Sequence, residues 1–164
     1  MREAAFGTVF CGIETPDPQA LYAIGKQHNT MVPVLDTIRT LDRFGMEVVS
    51  GIILGLETDT LDAGAALLEF IEQSHIPMLT INLLQALPRT PLRDRLQREK
   101  RLLDDNARES NVEFRLPYEQ VLAMWRDCTG RAYQPKAIFA RYAYQVREIY
   151  PNQLKLPDSR QRGS

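Results

Sequence analysis

Five polar side chains stand just past the ends of three apolar runs. Glu14 follows residues 8–13 (TVFCGI), Glu57 and Asp59 follow residues 48–54 (VVSGIIL), and Gln85 and Arg89 follow residues 78–84 (MLTINLL). Carboxylates and amides gathered on one rim could hold ribose hydroxyls or an amino group, or act as acid–base groups. The same positions are where helix caps fall, so capping and solvation compete evenly with ligand binding at any one of them. Gly51 and Gly55 lie four apart, within and after the second run. Glycine inside a strand marks a close approach, either of a ligand or of a packed helix. No lysine follows these glycines and no GxGxxG occurs, which excludes a phosphate loop. His28 and His75 have no partner at metal spacing. Cys11 and Cys128 are too few and too distant for a disulfide framework, a zinc site or an iron–sulfur site, and read as packing residues. That cysteine usage suits a reducing, cytoplasmic compartment.

The elements that must position these groups follow from the pattern. Each apolar run ends in turn residues and reads as a buried strand. Asp17 and Pro18 open a helix. Val34, Ile38 and Leu41 form a helical stripe that Gly45 ends. Thr58 or Thr60 is predicted to cap a third helix that stops near His75, before Pro77. Thr90 and Pro91 open a fourth, with Leu92, Leu96 and Leu103 on one face. Strand–helix alternation with near-continuous apolar strands predicts an α/β fold of three parallel β/α units, a sheet covered on both faces and its strand C-termini on one edge. Ligands of such sheets bind at that edge. Residues 104–115 read as a polar linker or surface loop. Two further helices follow Pro117, separated at residues 130–135, and carry Trp125 and the tyrosines 133, 142, 144 and 150 as packing residues. Residues 156–164 read as a disordered tail.

With 44% hydrophobic and 25% charged residues the chain can bury a core, and a net charge of −1 gives no global attraction to nucleic acid. No apolar run is long enough to span a bilayer.

Three stretches, in order, resemble the radical S-adenosylmethionine (SAM) superfamily, and within it the cobalamin-binding subgroup. Residues 10–17 (FCGIETPD) look like the fourth barrel strand and its polar end. Residues 51–60 (GIILGLETDT) look like the fifth strand with its GxIxGxxE-like motif, although the glutamate falls one place early, at Glu57. Residues 86–92 (ALPRTPL) look like the segment after the sixth strand. The resemblance implies that residues 1–103 are the C-terminal half of a partial TIM-type barrel and residues 104–155 a helical extension. It implies SAM and a 4Fe–4S cluster in the parent protein, with cobalamin as a further cofactor. Carried over, Glu14 and Thr15 match the fourth-strand group near the SAM ribose or methionine moiety. Gly51, Ile53, Gly55 and Glu57 match one wall of the adenine site, and residues 84–87, with Gln85 and Leu87, match the other. The cluster motif CxxxCxxC is absent from the 164 residues. The expectation is therefore a SAM-binding piece of a methyltransferase or related C–H functionalising enzyme, inactive by itself and completed by the rest of the barrel. Alternatives are an assembly module that self-associates into a homo-oligomer through a free sheet edge, and an unrelated phosphate-binding barrel piece.

Overall fold

The computed structural model describes residues 6–25, 32–103 and 108–153. His28 and the expected tail lie outside these residues. Strand β1 (Thr8–Glu14) is followed by α1 (Pro18–Ala23) and α2 (Val34–Arg43), then β2 (Glu47–Leu54), α3 (Ala63–Ser74), β3 (Met78–Leu83) and α4 (Pro91–Arg98). Helices α5 (Tyr118–Ala132) and α6 (Pro135–Tyr144) complete the chain, with a π-helical turn at Gln145–Ile149 and a short 3-10 turn at Tyr150–Asn152. The strands form one parallel sheet in the order β1-β2-β3.

Local chemistry sets most element starts. The Asp17 carboxylate accepts from the Gln19 amide at 2.9 Å and Pro18 occupies the first turn of α1. Thr90 does the same for α4, accepting from the Arg93 amide at 3.3 Å. The expected Thr58 or Thr60 cap of the third helix is not formed. The helix starts later, at Ala63, and the Thr60 hydroxyl accepts from the Asp62 amide at 3.4 Å, short of the helix's first turn. The cause is a turn after β2, in which the Asp59 carboxylate accepts from the Gly55 and Leu56 amides at 2.7 and 3.1 Å. Leu103 is not on the α4 face, because α4 ends at Arg98 and the chain becomes extended. Gly130 lies within α5; the break between the last two helices is at Tyr133–Gln134.

Two further corrections concern what the sheet packs against. One face is dry: Ile13, Val48, Ser50, Ile52, Leu54, Leu79, Ile81 and Leu83 are buried on it beneath the helices. The other face is not covered by the described residues. Phe10, Gly12, Met78, Thr80 and Asn82 are exposed there, and Val49, Gly51 and Ile53 are half-buried. The prediction of a sheet covered on both faces fails because apolar content alone cannot say whether the cover belongs to the same chain. Residues 108–116 are not a surface loop either. Ser110, Val112 and Phe114 are buried, and Val112 forms an antiparallel bridge with Leu102.

The two sheet edges differ. Along the outer edge of β3, the Trp125 indole donates to the Ile81 carbonyl at 2.8 Å and the Tyr133 hydroxyl donates to the Leu79 carbonyl. Helix α5 thus seals that edge with side chains, which removes it as a template for another strand. No such seal is formed on β1 among the described residues.

Candidate functional site

The open face and the strand C-terminal rim converge on one region. Its floor is backbone at Gly12 and Gly51, flanked by Phe10, Ile53, Thr80 and Asn82. A Cβ on Gly51 would stand 3.4 Å from Thr80 Oγ1 and 3.8 Å from Phe10 Cζ, so the missing side chain leaves a flat patch rather than relieving a clash. A planar ring could lie there against peptide groups. Thr80 Oγ1 accepts from Asn82 Nδ2 at 3.1 Å, which places two hydrogen-bonding side chains beside the patch.

Left-handed backbone occurs at the ends of β1 and β2 and in the segment that leads from β3 into α4. Glu14 has φ 65, Gly55 has φ 89 and Arg89 has φ 63. Glu14 follows a register shift between Gly12 and Glu14 in the β1–β2 pairing. Non-glycine residues in this region are strained, and such strain gathers at functional sites. Gly55 is required twice over: its φ suits glycine, and a Cβ would come within 2.5 Å of the Phe114 ring.

The predicted site residues divide into two groups. Glu14, Gly51 and Ile53 lie on the open face or its rim, and Leu87 is exposed in the segment after β3. The others hold the rim together. Thr15 is buried and its hydroxyl accepts from the Asp17 amide at 3.2 Å. Gly55 packs on Phe114. Gln85 turns to residues 109–111, donating to the Glu109 carbonyl at 2.6 Å and accepting from the Asn111 amide at 3.4 Å.

Glu57 is engaged by arginines. One carboxylate oxygen meets Arg95 at 2.5 Å and the other meets Arg101, with Arg115 at 3.6 Å. Arg101 also contacts Glu99 at 3.0 Å. Partial burial alone would push the Glu57 carboxyl up, but hydrogen bonds and charge from Arg101 and Arg95 outweigh it and hold it below the usual range. For Asp59 the balance is reversed: burial pushes its carboxyl up, against the two backbone amides it accepts from, and the charge of Asp17 adds to the rise.

Sequence reasoning missed Arg95, Arg101, Ser110 and Asn111. Ser110 donates to the Leu84 carbonyl at 2.6 Å. Asn111 brackets Ala86, accepting from its amide at 2.9 Å and donating to its carbonyl at 3.0 Å. These contacts fix the rim after β3. A signal was present: Ser110, Val112 and Phe114 alternate with polar residues, the period of an extended segment with one buried face.

The residues present do not fit an iron–sulfur cluster. Cys11 points from the sheet and Cys128 donates from α5 to the Gly64 carbonyl at 3.4 Å. Burial, with the charge of Asp127, pushes the Cys128 thiol up to about 11, away from the thiolate a metal needs. Among the described residues no group of three or more His, Cys, Asp or Glu could hold a metal ion.

Fold and site together define a three-stranded parallel β/α sheet with a C-terminal helical region that is bonded along the β3 edge. Residues 90–163 match a family described as a domain of unknown function (DUF4070). The whole chain is 62% identical to the hopanoid C-2 methylase of Rhodopseudomonas palustris, covering 31% of that protein. Over 106 residues, 65% of the chain, it is 41% identical to an uncharacterized methyltransferase of Synechocystis sp., covering 20% of that protein. The chain therefore spans about a third or less of the curated relatives it matches. No helix among the described residues is long and apolar enough to cross a membrane.

Proposed function

We propose that this chain is the SAM-binding wall of a radical SAM methylase, with a hopanoid-type polycyclic lipid as the parent enzyme's substrate class. The observation that carries the reading is the coincidence of two facts. Identity to a named hopanoid methylase extends over the whole chain at 62%, and of the residues the resemblance assigns to SAM, Gly51 and Ile53 lie on the open sheet face with Glu14 at its rim. On this reading the adenine lies over the Gly12–Gly51 backbone, with Ile53 as an apolar wall and Asn82 and Thr80 as hydrogen-bonding neighbours. Glu14, held at the rim by its left-handed backbone, faces the ribose or methionine portion. Glu57 does not touch the ligand; its ion pairs with Arg95 and Arg101 tie the loop after β2 to α4. Leu87 shields the rim from water.

A 4Fe–4S cluster would supply the electron that cleaves SAM. Its ligands, any cobalamin site and the remaining barrel strands belong to residues outside this chain. β1, the outer strand opposite the β3 edge bonded by Trp125 and Tyr133, is where the rest of the barrel would add a parallel strand.

The test is equilibrium dialysis with SAM, comparing the chain with Gly51→Val. The wild type should bind and the variant should lose at least about tenfold in affinity, because a branched side chain fills the flat patch. Equal binding by both overturns the placement. Anaerobic reconstitution with iron and sulfide should leave the chain without stoichiometric iron.

A second reading has its own observation. With β3 sealed by Trp125 and Tyr133, β1 is the edge open to a second copy, giving a homo-oligomer through β1 pairing. Sedimentation across the micromolar range tests it, and a monomer throughout counts against it.

A further inference from the structure

Helix α6 and the π turn after it carry an exposed apolar stripe. Phe139, Tyr142 and Val146 are 75%, 36% and 59% exposed, and their i, i+3, i+7 spacing puts them on one helix face. Arg141, Gln145 and Ile149 turn inward and are buried. Between Asp127 and Glu148 the sequence has Arg131, Lys136, Arg141 and Arg147 and no acid. Arg131 is engaged by Asp127 at 3.4 Å, while Lys136 and Arg147 are exposed on the helix itself. The exposed charges of α6 and the π turn are thus Lys136 and Arg147, with Glu148 beside Arg147.

We propose that this face docks on an anionic lipid surface. The inference rests on the reading above, in which the parent acts on a polycyclic lipid. Aromatic and aliphatic side chains flanked by Lys and Arg, on a helix that does not span, match the chemistry of a helix lying in the headgroup plane. The basic flank selects anionic over zwitterionic headgroups. An acidic protein surface matches the charge and the aromatic row equally; the lipid substrate proposed for the parent favours the lipid surface. The placement suits an anchor. Gln145 Nε2 donates to the His75 carbonyl at 3.0 Å and the Tyr150 hydroxyl donates to the Glu47 carboxylate at 2.5 Å, so this helical end sits at the strand N-termini. Docking there leaves the rim and the open sheet face uncovered.

The test is co-sedimentation of the 164-residue chain with vesicles of phosphatidylcholine, with and without phosphatidylglycerol. Neither hopanoid nor SAM is present, so the outcome does not depend on the methylation reading. The chain should partition onto the anionic vesicles, and less onto pure phosphatidylcholine. Phe139→Ser with Val146→Ser, and separately Lys136→Glu with Arg147→Glu, should each cut partitioning by about tenfold or more, with circular dichroism and SAM binding unchanged. No partitioning onto anionic vesicles would overturn the proposal and assign the stripe to a protein partner. Equal partitioning onto both lipid mixtures, or by either variant pair, would overturn it too.

Discussion

The indole of Trp125 donates its single proton to the main-chain carbonyl of Ile81, 44 residues earlier, at 2.8 Å. A side chain of α5 thereby does on the outer edge of β3 what a neighbouring strand would otherwise do. Among the described residues, no comparable bond from a helix side chain is formed along β1.

Trp125→Phe keeps most of the packing and removes the donor. Leaving the Ile81 carbonyl unpaired should cost about 1–2 kcal/mol, read from the urea midpoint. Combining it with Tyr133→Phe, which frees the Leu79 carbonyl as well, should add aggregation through β3. A double variant that stays as soluble as the wild type would show that the hydroxyl and indole do not protect the edge.

Glu57 and Arg101 supply a prediction with a pH sign. The folded Glu57 carboxyl sits below its usual range, so its contribution is fully present above that range and is lost as pH falls through the folded value. Glu57→Gln should cost about 1–2 kcal/mol at pH 7, since Arg101 has a side chain only 10% exposed and would keep the Glu99 carboxylate and the Glu113 carbonyl but lose the Glu57 charge. The variant should also lose part of the wild type's acid sensitivity. A wild-type-like acid transition would contradict the assignment.

Asp42 works in the opposite sense. Burial pushes its carboxyl up to about 6, so the folded state binds a proton that the unfolded chain releases at lower pH. Its effect is to make stability fall as pH rises towards about 6. Its place in the last turn of α2 adds an unfavourable helix-dipole interaction for the ionised form. Asp42→Asn should therefore raise the melting temperature at pH 7 and change it little at pH 4. A fall at pH 7 would show that the carboxylate is needed in its charged form.

The two rim glycines should separate stability from ligand binding. Gly55→Ala meets both a φ of 89 and the Phe114 ring, and should cost at least about 2 kcal/mol by denaturant titration. Gly51→Ala has ordinary room, its Cβ 3.4 Å from Thr80 Oγ1, and should change stability by less than about 0.5 kcal/mol. Equal costs would mean that the open face is packed in solution.

How much of this was legible depends on what each pattern encodes. The strands could be read because Val48, Ile52 and Leu54 are β-branched or apolar and are bounded by turn residues. The parallel order followed from the intervening helices. The single-sided packing could not be read, since Val49 and Ile53 on the open face are as apolar as Val48 and Ile52 on the buried one. On the present reading they are apolar because ligand and barrel interior cover them. A motif points to Glu57, but nothing in the local pattern ties Arg95 and Arg101, 38 and 44 residues further on, to its carboxylate. The inward turn of Ser110, Val112 and Phe114 was masked by the charges of Glu109, Glu113 and Arg115 beside them.

The central claim is that SAM lies on the open face of the half-sheet. Titrating SAM into the isotopically labelled chain and following backbone amide shifts tests it most directly. The account predicts shifts at Gly12, Glu14, Gly51, Ile53 and residues 84–87, with the α3 and α5 amides unmoved. Shifts confined to the helical side, or none at millimolar SAM, would contradict it.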